Sequence, residues 1–134
     1  MAQPTNLAIG LTWTSNGVLN DPLLATDGDH STYLQCVLNT GQILQAQLSG
    51  GPLDIGTLVL MQNNAILRRQ EIRIFAGSST DYTLNTECNR GQPVSNAGVI
   101  SCDISAVSYI QILYSDTTIS TLDLLLAEFY VYAE

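Results

Sequence analysis

The sequence predicts an all-β chain folded as a two-sheet sandwich of jelly-roll type with about eight strands. Apolar and polar residues alternate with period two along much of the chain, and no segment sustains the 3.6-residue period of a surface helix. Turn-forming residues interrupt that alternation about every 8 to 12 residues, and β-type segments reach both ends of the chain. A length of 134 residues suits one domain, 1–134, whose single core would bury roughly two-thirds of the unfolded surface. No internal repeat or linker divides it.

Taken in order, Gln42 to Leu48 places Leu44, Ala46 and Leu48 on one face and turns Gln45 and Gln47 toward water. Leu53 to Met61 is mostly apolar and suits a central strand. A polar loop, Gln62 to Arg69, follows, and it holds Arg68 and Arg69, two of the four cations in the chain. Gln70 to Gly77 then points Ile72 and Ile74 inward and Glu71, Arg73 and Phe75 outward. Val99 to Ile104, Val107 to Tyr114 and Leu122 to Tyr132 complete the set, separated by Ser, Thr and Asp. In the last strand Leu125, Ala127, Phe129 and Val131 share one face, and Leu126, Glu128, Tyr130 and Tyr132 the other. Glu128 therefore sits in a strand that is apolar on both sides, and something must satisfy its carboxylate.

Composition narrows the function. Hydrophobic residues make up 46% of the chain, which excludes a disordered segment, and no apolar run approaches the roughly 18 to 20 residues that span a bilayer. Twelve acidic residues against four basic ones give a net charge of -8, which disfavours nucleic acid and anionic membrane as partners. All four cations are arginine, and the surface must consist mostly of uncharged polar groups, as in extracellular proteins. Cys88 and Cys102 flank a turn-rich segment able to bring them together, and such a bridge would contribute on the order of 3 kcal/mol. Cys36 then stays unpaired; the alternative is three reduced, buried thiols acting as small hydrophobes. The start, Met1-Ala2-Gln3-Pro4, lacks the basic and apolar stretches of a signal peptide. No nucleophile with its base, phosphate loop, zinc spacing or His-Glu-x-x-His run is present, so the chain reads as a non-enzyme. His30 reads as a solvated loop residue, and Trp13, Tyr33 and Tyr82 as core aromatics or as platforms for a sugar ring.

Four segments in order carry a resemblance: Asn6-Leu7-Ala8; Ala25-Thr26-Asp27-Gly28-Asp29-His30-Ser31-Thr32; Glu71 to Gly77 before a loop ending in Cys88; and Ile100-Ser101-Cys102 leading to Leu126 through Tyr132. Over nearly its whole length the chain resembles the F-type lectins (fucolectins) among the galactose-binding-like, discoidin-type jelly rolls. The resemblance implies a secreted, carbohydrate-binding protein with a structural calcium ion held at positions matching Asp27, Asp29 and Glu128. Calcium takes six to eight oxygen ligands, and Gly28 between two acidic residues permits the tight turn such a site needs. The other reading of these residues is an Asp-Gly turn and a hydrogen-bonded glutamate. It also implies a sugar site on loops at one mouth of the sandwich, here in modified form. The family's histidine position falls near Asn39, its Arg-x-Asp segment matches Asn63 and Asn64 in Gln62-Asn63-Asn64-Ala65, and only Arg68 or Arg69 stands where its second basic residue does. The partner of the family's cysteine at position 36 is replaced by Ala127.

Two functions from different classes follow. The first is a lectin-like module binding a glycan, of fucose or galactose type, through Asn39, Asn63, Asn64, Arg68 and Arg69. The second is a sugar-blind structural subunit of an extracellular oligomer, coat or filament. The absence of lysine, a usual guard of edge strands, suits the second, with unpaired Cys36 as an intermolecular link.

Overall fold

The computed structural model describes residues 13–20, 34–48, 52–62, 72–88, 97–117 and 119–133. In chain order the strands are β1 (Trp13–Ser15), β2 (Val18–Leu19), β3 (Leu34–Asn39), β4 (Ile43–Gln47), β5 (Leu53–Gln62), β6 (Ile72–Gly77), β7 (Thr86–Glu87), β8 (Ala97–Val107), β9 (Tyr109–Tyr114) and β10 (Thr121–Ala133). They form two five-stranded sheets, ordered β1-β4-β9-β6-β7 and β2-β3-β10-β5-β8. Every pairing between neighbours is antiparallel. The expected two-sheet sandwich is therefore present, with more strands than the eight or so anticipated, because β1, β2 and β7 are two- or three-residue edge pieces too short to show a period.

The core follows from the alternation. Leu34, Cys36 and Leu38 of β3, Leu44 and Ala46 of β4, Leu58 and Leu60 of β5, Ile72 and Ile74 of β6, and Ile110 and Ile112 of β9 are all buried in one cluster between the sheets. Trp13 on β1 meets Phe129 on β10 edge-on across the sheets, with ring centroids 5.1 Å apart. This places Trp13 in the core rather than at a sugar. Cys88, just after β7, is bonded to Cys102 of β8, with Cα atoms 5.0 Å apart, so the expected bridge ties an edge of one sheet to an edge of the other. Cys36 is free but fully buried, its thiol 3.4 Å from Ser15 Oγ. It cannot serve as an intermolecular link while the chain is folded, which corrects that expectation.

Three sequence-based face assignments change. In β10, pairing with β5 steps from Leu126↔Gln62 to Glu128↔Met61, so Ala127 is an extra residue in a β-bulge. The bulge inverts the parity of the strand: Leu124 and Leu126 lie in the core with Phe129 and Val131, and Leu125 belongs to the outer face with Tyr130 and Tyr132. Phe75 does leave the core side of β6, but it is 5% exposed because the 3-10 turn Tyr82–Leu84 folds over it, with Tyr82 at 5.1 Å and the Arg73 guanidinium 5.1 Å above its ring. Gln47 faces water as expected, whereas Gln45 is half-buried and accepts a hydrogen bond of 2.9 Å from Gln111.

Gln111, on the outer side of the first sheet, is fully buried. Its amide also donates to Thr80 O at 2.9 Å, and its carbonyl accepts from Asn85 Nδ2 at 2.8 Å. Asn85 Nδ2 reaches Ser79 O as well, and Asp81 caps the 3-10 turn through Thr83 N at 3.0 Å. This network seats residues 78–85 on the first sheet. A Cβ at Gly77 would run into the Asn85 carboxamide, so only glycine fits there. The part of this sheet around Phe75 and Gln111 is thus covered on its outer side by residues of its own chain.

Candidate functional site

Strand direction gathers several connections at one end of the sandwich. β3 ends at Asn39 opposite Thr121, where β10 begins; β4 begins at Ile43 opposite Leu113, near the end of β9; and β6 begins at Ile72 opposite Tyr114. β5 ends at Gln62 and runs toward this same end. Segment 63–71 re-enters the described structure at Ile72, whose partner Tyr114 also bonds the turn after Asn39, but it leaves at Gln62, opposite Leu126 and level with Leu34 at the other end of β3; Asn63, Asn64, Arg68 and Arg69 themselves lie outside the described residues.

The rim at this end is tightly bonded. Asn39, Thr40, Gly41 and Gln42 make a four-residue turn closed by Gln42 N to Asn39 O at 2.9 Å, and Gly41 supplies the positive φ of 90° that its third position requires. The turn is anchored to the β9–β10 connection by Thr40 N to Ser120 O, Gly41 N to Tyr114 O and Tyr114 N to Gln42 O, all 2.8 to 3.0 Å. Thr40 Oγ1 donates to Asp116 O at 2.5 Å, and Asp116 is buried. Gln42 accepts from Asn39 N through Oε1 and donates to Asn16 O, and Asn16 Oδ1 accepts from Ile43 N, each at 2.8 Å.

Asn39 is exposed, and its carboxamide oxygen accepts from Thr121 Oγ1 at 2.9 Å, which fixes the side chain at the rim. Amide groups held this way can match the paired donors and acceptors of sugar hydroxyls without ordering themselves on binding. Sequence reading missed Asn16, Gln42 and Asp116. The Asn16-Gly17 pair is a turn signal visible in the chain, but nothing local shows that it meets Gln42 at the end of the neighbouring strand β4.

Glu128 is fully buried on the side of β10 that carries Tyr130 and Tyr132. It is one of the causes that push the Tyr130 phenol above its ordinary value, after burial and ahead of Tyr132. Asp27 and Asp29 lie outside the described residues, but the segment carrying them departs after Asn20 and returns at Leu34, which pairs with Leu126 two residues from Glu128. Among the described residues no group of three or more His, Cys, Asp or Glu side chains is placed to hold a metal. No helix among them is long and apolar enough to cross a membrane.

No protein-family model and no curated protein matches the chain. Solved structures do. The chain is similar to chitosan-binding module 1 from the chitosanase/glucanase of Paenibacillus sp. IK-5, at 18% identity and a TM-score of 0.75 over 96% of this chain and 99% of that one. It is similar to the lectin domain of lectinolysin, complexed with Lewis B antigen, at 13% identity and a TM-score of 0.68 over 99% of each chain. Against a family 89 glycoside hydrolase from Clostridium perfringens the identity is 20% and the TM-score 0.68, with 96% of this chain covering 14% of the enzyme. What these likenesses show is the fold: a two-sheet β-sandwich shared with a chitosan-binding module and a lectin domain.

Proposed function

We propose that the chain is a secreted, non-catalytic carbohydrate-binding protein of F-type lectin character, with its sugar site at the Asn39 rim and a structural calcium site beside β10. The observation that carries the reading is the bonded, amide-rich turn at one end of the sandwich, with the re-entry of segment 63–71 at Ile72 beside it. That segment bears Asn63, Asn64, Arg68 and Arg69. Arginine can donate two parallel hydrogen bonds to neighbouring hydroxyls, and the asparagines can both donate and accept. The chitosan-binding module and the Lewis B-bound lectin domain, which share this fold, support a sugar as the partner. The sugar expected from the family resemblance is of fucose or galactose type.

Calcium suits Glu128, because a cation stabilises a fully buried carboxylate and itself takes further oxygen ligands. Asp27 and Asp29 supply further oxygens of the right chemistry, and the ion would hold their segment against β10. A glycan array on the wild type, followed by affinities for Arg68→Ala and Arg69→Ala, tests the sugar site. One of the two substitutions is expected to weaken binding by about 1 to 3 kcal/mol, since adjacent residues of an extended segment face opposite ways. Equal and negligible effects would remove the segment from the site.

The sugar-blind assembly retains one supporting observation, Val99, which is 72% exposed on edge strand β8. That edge is guarded in another way than by lysine: its pairing with β5 slips twice, between Leu53 and Thr57, and Ala106 there takes a positive φ of 57°. Size-exclusion chromatography beside the array separates the two readings, a sugar-binding monomer from a large sugar-blind particle.

A further inference from the structure

The outer sides of the two sheets differ. Residues 78–85 cover the Phe75 and Gln111 region of the first, but the second bears a partly open apolar tract. Register aligns Tyr130 with Val59 and Val59 with Val99, and in the next row Tyr132 with Thr57 and Thr57 with Ser101. Directly opposed residues of antiparallel strands share a face, so these two rows run side by side across β10, β5 and β8. The Tyr130 and Tyr132 rings are parallel within 6°, with centroids 6.1 Å apart. Both are half-buried, hence fixed in place, and the tract opens progressively toward Val99.

At Ser101 the second row reaches a cleft of about 250 Å³ between the edges of the two sheets. Thr86, Glu87, Ser101, Asp103 and Ser105 line it, and the Cys88–Cys102 bridge forms its base. Glu87 is paired with Arg73, whereas Asp103 is exposed and has no salt bridge among the described residues. Asp54, at the same end of β5, is exposed as well and accepts only a backbone amide, that of Ala106. Among the described residues the outer face of this sheet carries no cation, in a chain of net charge -8. From the tyrosines to Ser101 is two strand spacings, about 10 Å, which is longer than one pyranose ring.

We propose that this sheet face and the adjoining cleft form a second glycan surface, separate from the Asn39 rim, that takes a linear polysaccharide carrying protonated amino groups. The inference rests on the carbohydrate-binding reading but uses none of the rim residues. Apolar sugar faces lie along Tyr130, Val59 and Val99, and the hydroxyls of Thr57 and Ser101 flank the chain. An ammonium group enters the cleft toward Asp103, and the negative field of the whole protein favours such a polymer over a neutral or anionic one.

The test is a pull-down of the full chain on insoluble β-linked glucosamine polymer and on its fully N-acetylated counterpart, in mildly acid solution at low and high salt. Wild type is expected to bind the amino polymer about tenfold more tightly than the acetylated one and to lose that preference in high salt. Tyr130→Ala with Tyr132→Ala, and separately Asp103→Asn, should each lower the affinity by about tenfold. The double Tyr→Phe variant, which keeps the rings, should bind as wild type, and a cooperative thermal melt of the double alanine variant itself excludes misfolding as the cause. Full binding by the double alanine variant, or equal binding of the two polymers, overturns the proposal. Loss of binding in Arg68→Ala without loss in the tyrosine variant assigns the polymer to the rim, which overturns the second surface and leaves the carbohydrate reading standing. Failure to bind either polymer, with self-association that the double alanine variant abolishes, makes the face an interface between copies and overturns it too.

Discussion

Replacing Gln111 with methionine would test whether the covered sheet is held by its amide network. Methionine keeps the length and volume of the side chain, so no cavity forms, but both polar functions are lost. Three good hydrogen bonds disappear: to Gln45 Oε1 and Thr80 O, each 2.9 Å, and from Asn85 Nδ2 at 2.8 Å. A fourth contact, to Ser79 O at 3.4 Å, is long enough to count for little. Asn85 keeps its bond to Ser79 O, and Gln45 and Thr80 can turn to water because neither is fully buried. At about 1 kcal/mol for each lost bond, the net cost is about 2 to 3 kcal/mol. For a chain of this length that lowers the melting temperature by roughly 6 to 12 °C. Urea titration should show a lower midpoint at unchanged slope, and amide exchange at Ser79, Thr83 and Asn85 should quicken more than exchange in β3 or β5. Gln47→Met, on an exposed position of β4, serves as the control and should change stability by a few tenths of a kcal/mol. A Gln111→Met midpoint equal to that of the control would refute the reasoning.

Non-reducing peptide mapping is expected to recover Cys88 joined to Cys102, and a thiol reagent should reach Cys36 only after denaturant is added. Removing the bridge, which spans a sequence separation of 14, should cost about 3 kcal/mol; a loss near zero would count against an ordered cleft base. Chelation should lower the melting temperature, since an ion at a hundred times its dissociation constant adds about 2.7 kcal/mol, and Glu128→Gln should abolish the difference between chelated and calcium-supplied samples. An unchanged curve in excess chelator rejects the calcium site. Burial raises the Cys36 thiol above its ordinary value of 9.0, a shift opposed by the Ser15 hydrogen bond and assisted by Asp123. A group raised on folding contributes stability that is complete below its unfolded value and lost as pH rises, so midpoints measured from neutral to alkaline pH should fall past about 9, and less steeply in Cys36→Val.

Much of the architecture can be read in the chain because side-chain alternation is local. Leu44, Ala46 and Leu48, or Ile72 and Ile74, announce both the strand and its buried face. The Cys88–Cys102 pair was legible for the same reason, since the turn residues between them are adjacent in sequence. Tertiary structure alone decided what a single inserted residue reverses and what distant segments bring together. Ala127 is unremarkable in sequence, yet as the extra residue of a bulge it sends Leu126 into the core and Leu125 out, because a period of two changes sign with each added residue. Phe75 keeps its outward parity and is buried by a turn that arrives later in the chain. Gln111 and Gln45 have no signal that marks them as partners across neighbouring strands, and Asn16, Asn39 and Gln42 meet at one rim only because strand order joins them there. Sequence determined the faces of individual strands through short-range sterics and burial; the order, register and covering of those strands depend on contacts between segments far apart in the chain, which no local pattern encodes.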